Sequence, residues 1–203
     1  MVQKSTFNMP HRRRRELRTD YRKRAALVVS DCPRMVVRTS SKHTVVQFIE
    51  ARLQGDNVLA AAKSTELERL NWKFGGGNVP AAYLTGMLGG LKALEKGISK
   101  AILDIGLSRV SKGARIFGAL KGAVDIGVEI PHGEEILPSD SRIKGEHIAE
   151  FAKRLSSDPE QYKRQFSGYI SRKQKPEDLP SIFEKTKEKI TSSRKKSRKE
   201  DEK

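Results

Sequence analysis

The sequence predicts an α/β fold, in which a mixed sheet of about five strands is covered by helices. Three short apolar segments between residues 34 and 63 alternate with polar turns, as the strands of a meander do. Beyond residue 78, two segments with helical apolar spacing alternate with two more strand-like segments. A meander followed by such an alternation is typical of a mixed sheet with helices packed on it.

Positive charge is concentrated at the two ends of the chain. The 203 residues carry a net charge of +16, and residues 1–24 contain nine Lys and Arg against two acidic residues, while residues 186–203 contain eight against four. A charge of this size attracts polyanions, so nucleic acid and anionic membrane are the candidate partners. We therefore divide the chain into a basic N-terminal arm (1–33), an α/β domain (34–155) and a helical, charged C-terminal extension (156–203).

The N-terminal arm is predicted to be a helix with two different faces. Arginines recur at every fourth position over residues 14–22, and an apolar stripe runs from Leu17 through Tyr21 to Val28. One face could contact phosphate while the other contacts protein. The helix is expected to end before Pro33, because a proline disfavours helical backbone in the residue that precedes it.

The strands of the α/β domain are predicted from apolar runs between turn residues. In the second run, Val46 and Phe48 point to one face and Val45 and Ile49 to the other, which predicts a sheet covered on both faces. The tip between the first two strands has the sequence SSKH, and a GDN turn follows the second. The predicted strands are residues 34–39, 44–51, 57–63, 100–105 and 128–130.

The first long helix of the domain has a clear start and end. Asn78 is a good cap, Pro80 fits the first turn, and Gly97 marks the end. Small residues recur along it at three- and four-residue spacing, so another part of the backbone can approach closely; tight packing of the helix on the sheet is the simplest interpretation. Further helices are predicted at residues 114–125, at residues 143–155 and from Asp158 onward.

The last part of the chain has a different composition. From about residue 173 the sequence is charged and nearly free of core-forming residues. Such a composition favours an arm that orders only against a partner.

Several enzyme signatures are incomplete in this sequence. The cluster Gly75–Gly77 lacks the third glycine of a dinucleotide-binding turn, because Pro80 stands in its place. The fragment His132-Gly133-Glu134 lacks the cysteine pair that a zinc deaminase needs, since Cys32 is the only cysteine. Asp104, alone in its strand, is expected to be a structural hydrogen-bond acceptor. We therefore predict no enzymatic activity, no cofactor, no metal and no small-molecule substrate.

No segment of the sequence suggests a membrane partner or export. No apolar run approaches the roughly 18 residues that span a bilayer, and no signal-peptide pattern begins the chain. A single cysteine cannot form an internal disulfide, which agrees with a reducing compartment. These observations predict a soluble protein that is not exported.

RNA binding fits the remaining signals. The arm offers a dense strip of guanidinium groups with a tyrosine ring among them, and the SSKH tip offers hydroxyl groups and cations beside Arg38. A solvated charged face or a nuclear address would not need the four-residue repeat of arginines or the apolar stripe. The predicted RNA contacts of the arm are Arg12, Arg13, Arg14, Arg15, Arg18, Tyr21, Arg22, Lys23 and Arg24, and those of the tip are Arg38, Ser41, Lys42 and His43.

Two alternatives remain open from the residues themselves. A general RNA-coating protein would display the same positive charge without any preference for one RNA. A metal-dependent nuclease could occupy the same kind of fold, although the first strand, RMVVRT, offers none of the clustered carboxylates that such an enzyme needs.

Long ordered matches then connect the sequence with a known family. The stretches RTDYRKR, VVRTSSKHTVVQ, GGGNVPAAYLTGMLGGLKAL, ILDIGL, KGARIFGALKGAVDIGVEIPHGEEILPS and RIKGEHIAE, between about residues 8 and 155, resemble the archaeal and eukaryotic branch of the large-subunit ribosomal protein eighteen family. That family is similar in fold to translational proteins built on a ribonuclease H-like layer that has lost its activity.

The resemblance implies a structural constituent of the cytoplasmic ribosome. It implies that the protein binds 5S rRNA and docks it on 23S rRNA at the central protuberance, next to neighbouring large-subunit proteins. The matching stretches carry RNA contact onto the arm and the tip named above. They add three further candidates, Trp72, Lys73 and Asn78. Asn71 stands where the family often has a glycine.

Overall fold

The computed structural model describes residues 8–201, with the side chains of the last helix described up to residue 192. It confirms the α/β class. The strands are β1 (Arg34–Thr39), β2 (Thr44–Arg52), β3 (Gly55–Lys63) and β4 (Ile102–Asp104). The α-helices are α1 (Arg12–Arg15), α2 (Tyr21–Val29), α3 (Val79–Glu95), α4 (Arg115–Asp125), α5 (Asp140–Lys144), α6 (Glu146–Leu155), α7 (Pro159–Gln165), α8 (Ser167–Ile170) and α9 (Leu179–Asp201). Short 3₁₀ helices lie at Ser64–Leu70, Glu134–Ile136 and Pro176–Asp178.

The four strands form one mixed sheet in the order β3-β2-β1-β4, with β1 antiparallel to β2 and parallel to β4. The prediction of a fifth strand at residues 128–130 is wrong. That segment makes a single bridge, between Lys100 and Glu129, just before the start of β4. Val128 and Ile130 are instead buried in the core, so the segment contributes side chains rather than a ladder of backbone bonds.

The sheet is covered fully on one face and partly on the other. Met35 and Phe48 belong to the fully buried face, which packs against α3. On the second face, Val36 and Ile49 are buried, whereas Val58 on the edge strand is 45% exposed. The expectation of cover on both faces therefore holds only for the centre of the sheet.

Helices α3 and α4 pack against each other through glycines. A Cβ atom on Gly86 would lie only 1.9 Å from the carbonyl oxygen of Ala119, and one on Gly122 would lie 2.1 Å from that of Tyr83. The small residues of α3 therefore admit the backbone of α4, and the interpretation as helix-on-sheet packing is wrong for this position. The hydroxyl of Tyr83 donates to Asp125 across the same contact.

We expect Gly86→Ala to destabilise the fold, although alanine favours helix over glycine by about 1 kcal/mol. The added methyl group meets backbone rather than a flexible side chain, and overpacking of this kind costs about 1–3 kcal/mol. Urea unfolding measures the change in the free energy of unfolding. The control is Gly133→Ala, since a Cβ there meets open space. A stabilised Gly86→Ala variant would contradict the tight contact.

Residues with left-handed backbone break two of the predicted helices. Leu17 (φ +53°) follows α1, where Arg18 N donates to Arg13 O at 2.8 Å and Leu17 N donates to Arg14 O at 3.1 Å. This pair of bonds is a Schellman motif, which ends a helix. Gly145 (φ +81°) likewise separates α5 from α6 within the predicted helix at residues 143–155. The four-residue arginine stripe therefore does not run along one continuous helix.

The C-terminal extension contributes to the core. In α9, Leu179, Phe183 and Ile190 are at most 1% exposed, and Phe183 packs on the ring of Tyr83. The prediction of a core-free arm from residue 173 is therefore wrong up to residue 190, and the side chains of residues 193–203 lie outside the described part. The helix opened by Asp158 and Pro159 forms as predicted.

We expect the fold to lose stability in mild acid because of His147 in α6. Burial lowers the pKa of His147, the charge of Arg142 lowers it further, and Glu150 opposes the shift. The folded state therefore favours the neutral ring. The contribution of the neutral ring to the free energy of unfolding is present above pH about 6.5, the ordinary pKa of histidine, and is lost as the pH falls below that value. The free energy of unfolding should thus decrease less between pH 7 and 5 in His147→Gln than in the wild type. An identical decrease in both proteins would exclude His147 as the cause.

Candidate nucleic-acid interface

The N-terminal arm consists of two helices joined by a compact turn. The carboxylate of Asp20 caps α2 by accepting from the backbone N–H groups of Arg22 and Lys23, at 3.0 and 3.2 Å. The rings of His11 and Tyr21 are 4.8 Å apart, so they connect α1 with the start of α2. Tyr21 is half-buried in this contact. Residues predicted to contact RNA thus lie on a short folded unit.

The basic residues of the arm differ in how far their charge is neutralised. Arg12 and Arg18 share Glu16, with N–O distances of 3.0 and 3.4 Å. Arg24 pairs with Asp56 at 2.8 Å. The remaining five cations form no ion pair with any residue that the structure describes, and all are exposed. These unpaired cations are Arg13, Arg14, Arg15, Arg22 and Lys23.

A series of linked ion pairs, with alternating acidic and basic residues, holds the side chain of Arg38, one of the predicted RNA contacts. Asp104 accepts from Arg34 at 2.9 Å and from Arg38 at 3.1 Å, and Arg34 also pairs with Asp56 at 3.0 Å. Through Asp56 the series continues to Arg24 of the arm. Asp104 is therefore the structural acceptor that the sequence predicts. The side chain of Arg38 remains 47% exposed, so it can still face a ligand from one side.

The structure brings together two predicted elements that are distant in sequence. The backbone of Gly77 lies so close to the hairpin tip that a Cβ atom would be 2.3 Å from the carbonyl oxygen of Ser41. Arg115, at the start of α4, donates to the carbonyl oxygens of both Ser40 and Gly77, at 2.8 and 2.7 Å. Gly76 and Gly77 are thus required by loop packing, and the tip residues predicted to contact RNA share one surface with this loop.

The three weaker candidates have different environments. Trp72 is 1% exposed, so its ring is part of the core and offers no open face for stacking. Asn78 caps α3 by accepting from Ala81 N at 2.9 Å, and Lys73 is exposed. Asn71 adopts the left-handed conformation (φ +73°) that glycine takes most readily, and asparagine tolerates it. The loop can therefore keep its turn without a glycine at that position.

Sequence reasoning missed three residues at this surface. Arg115 connects the two loops, while Tyr169 and Arg172 approach the glycine loop from the C-terminal extension. The tertiary proximity that gives these residues their role cannot be read from local spacing. The only available signal was their residue type, since arginine and tyrosine are common at RNA interfaces.

Two negative observations apply to residues 8–201 alone. No cluster of three or more His, Cys, Asp or Glu residues is arranged to hold a metal ion there. None of the helices in this part of the chain combines the length and the apolar character needed to cross a bilayer.

Comparison with known proteins identifies the family. Residues 5–99 and 95–133 match the family described as ribosomal large subunit proteins 60S L5 and 50S L18. The large ribosomal subunit protein uL18 of Aeropyrum pernix is 54% identical over 186 residues, which cover 91% of this chain and 87% of that protein. The uL18 protein of Caldivirga maquilingensis is 48% identical over 192 residues, which cover 94% and 93%. As the resemblance predicted, the chain belongs to this family, and it is a structural, non-enzymatic, cytoplasmic constituent of the large ribosomal subunit.

Proposed function

We propose that the protein binds 5S rRNA and docks it on 23S rRNA at the central protuberance, in contact with neighbouring large-subunit proteins. The observation that carries this proposal is the set of five unpaired cations on the folded N-terminal arm. Their charges have no protein partner among the described residues, so phosphate groups can take that place.

The arm and the folded domain contribute differently to such binding. Phosphate contacts supply affinity and fix position, but they carry no sequence information. Selection of one RNA therefore requires contacts with exposed bases or with RNA shape, which the hairpin tip can provide. Ser41 and Lys42 are exposed at this tip, next to the glycine loop.

The nuclease alternative has little support in this geometry. Asp104 already accepts from two arginine side chains and from the backbone N–H of Gly106 at 2.8 Å. These donors occupy three of the roughly four acceptor positions of the carboxylate, and the two arginine charges repel a metal cation. We therefore expect no divalent-dependent RNA cleavage from the purified protein, and cleavage that is abolished by Asp104→Asn would revive the alternative.

A competition experiment at fixed salt concentration separates the proposal from general RNA coating. Labelled 5S rRNA bound to the full chain is challenged with unlabelled 5S rRNA, with a 23S rRNA fragment, or with a random duplex of equal length. Specific binding sites are typically at least a thousandfold tighter than non-specific ones for nucleic acid, so we expect only 5S rRNA to compete at low concentration. Equal competition by the random duplex would establish a general RNA-coating protein instead.

A further inference from the structure

A cleft of about 490 Å³ lies between the hairpin tip, the glycine loop and the C-terminal extension. Its walls come from four parts of the chain: the tip with Lys42, the 3₁₀ helix Ser64–Leu70 with Glu68, the loop with Gly75–Gly77, and the C-terminal extension with Tyr169. The volume lies within the range of about 300–1,000 Å³ that is typical of sites for small ligands. Because the tip residues also belong to the proposed RNA surface, the cleft opens where RNA would lie.

Two buried hydrogen-bond donors among the residues that line this cleft have no partner within the described part of the chain. They are the indole Nε1 of Trp72 and the amide Nδ2 of Asn78. Leaving a buried donor unsatisfied costs about 1–3 kcal/mol. The Oδ1 atom of Asn78 is already used to cap α3, so its amide group presents only donors to a ligand. A ligand acceptor that reaches either group would remove the penalty of that group.

The same cleft contains charged side chains that can bind the phosphate and the base of a nucleotide. Lys42 and Arg172 line it, and Glu68 provides one acceptor. The guanidinium of Arg172 donates to the carbonyl oxygens of Lys73 and Phe74 at 3.3 and 3.4 Å, which are long and therefore weak bonds. Phosphate oxygens can replace such partners with stronger, charge-assisted bonds.

We propose that this cleft captures one unpaired nucleotide of the bound RNA. Acceptors on the edge of the base meet the N–H groups of Trp72 and Asn78, and an amino group on the base can donate to Glu68. The nucleotide's phosphate pairs with Lys42 and Arg172. Sequence-specific RNA recognition commonly works in this way, by extracting an unstacked base and bonding its polar edges.

The proposal assigns a role to the C-terminal extension. Tyr169 forms part of the wall, and its ring stacks on Phe166 at 5.8 Å and meets Phe74 edge-on at 5.5 Å. These contacts hold the ring in place beside Gly75. The inference rests on the proposed binding of 5S rRNA, but it adds a base-reading site that phosphate contacts of the arm cannot supply.

Chemical probing of 5S rRNA with the full-length protein tests this inference. We expect at least one unpaired base to become protected at its Watson–Crick edge when the wild type binds. In Asn78→Ser the serine keeps an oxygen to cap α3 but lacks the N–H donors, so this base should regain reactivity while the rest of the footprint is unchanged. Trp72→Phe removes the other donor and should likewise make this base reactive again. Thermal unfolding verifies that each variant is folded.

An abasic nucleotide at the protected position gives a second measurement. It should weaken binding to the wild type by about tenfold, the expected loss of one or two hydrogen bonds, and binding to Asn78→Ser by much less, because the contact is already lost. Arg172→Ala should also weaken binding, whereas the matched control Lys175→Ala, an exposed cation outside the cleft, should not. Specific binding with no base whose protection depends on Asn78 or Trp72 would overturn the cleft proposal alone. Equal binding of random RNA would overturn the proposed function and this inference together.

Discussion

Replacing the five unpaired cations of the N-terminal arm by glutamine should lower the affinity for 5S rRNA about a thousandfold at 0.15 M salt. Each phosphate contact contributes roughly 0.7 to the slope of log K against log salt concentration for a single strand. Five contacts therefore contribute roughly 3.5, which corresponds to about three orders of magnitude between 1 M and 0.15 M salt. The residues to be replaced are Arg13, Arg14, Arg15, Arg22 and Lys23.

The measurement is a salt titration of binding by filter retention or fluorescence anisotropy. The slope for the variant should be smaller by roughly 3.5, and the two titrations should converge near 1 M salt. Deletion of residues 1–24 should weaken 5S rRNA binding at least as steeply, because it removes the same cations. Unchanged affinity in either case would remove the arm from the mechanism.

A matched control distinguishes local contacts from net charge. Five exposed cations of α6 and the C-terminal extension can be replaced by glutamine in the same way: Lys153, Arg154, Lys163, Arg164 and Lys175. This variant loses the same formal charge, but long-range attraction between exposed groups is screened beyond about 8 Å at physiological salt. We expect a much smaller loss of affinity. Equal losses would mean that total charge, rather than the arm, determines binding.

Local signals predicted those parts of the fold that depend on neighbouring residues. Asn78 and Pro80 specify the start of α3 because a side-chain cap and a fixed proline backbone act within one helical turn. Asp158 and Pro159 do the same for α7. The SSKH tip sets the turn between β1 and β2 for the same reason, and these features need no information about the rest of the chain. The predicted GDN turn is wrong, because Gly55, Asp56 and Asn57 begin β3 and pair with β2, while the chain turns at residues 53–54.

Other features depend on contacts that spacing alone does not reveal. The α1 helix ends at Arg15 through a Schellman motif at Leu17, although a leucine rarely takes the left-handed conformation that this motif requires. In α9, buried Leu179, Phe183 and Ile190 follow helical spacing, but the many charged residues between them concealed this stripe. The stripe becomes evident only when Tyr83 of α3 is seen to be its partner.

The sequence predicted individual residues of the candidate site, but it did not predict how the fold brings them together. The arginines of the arm and the SSKH tip could be identified by residue type and position. Arg12 and Arg18 are neutralised by the nearby Glu16. Arg24 and Arg38 instead pair with Asp56 and Asp104, which lie 32 and 66 residues away in the sequence. Trp72 was predicted to contact RNA, but its ring is buried and offers no face for stacking, so the proposed cleft uses only its N–H group, which has no partner among the described residues.

Asp104→Ala should lower the free energy of unfolding by about 3 kcal/mol. The Arg34 side chain is only 4% exposed and bonds to Asp104 at 2.9 Å. Breaking a buried ion pair from one side usually costs about 3–5 kcal/mol, because the remaining charge stays buried without compensation. Arg34 keeps its contact with Asp56, which is 26% exposed, so we expect the lower end of that range. Urea unfolding monitored by the single tryptophan, Trp72, measures the change.

Two further variants separate the loss of the pair from the loss of packing. Asp56→Ala should cost less than Asp104→Ala, because Asp56 is more exposed and water can replace it. The double variant Arg34→Met/Asp104→Leu should recover much of the stability, since replacing both buried charges by apolar groups is often neutral. If the double variant were as unstable as Asp104→Ala, the cause would be altered packing between β1 and β4 rather than an uncompensated arginine.

RNA binding by the double variant gives a separate result. If stability recovers but RNA binding is weaker, the linked ion pairs position Arg38 for the RNA in addition to their part in folding.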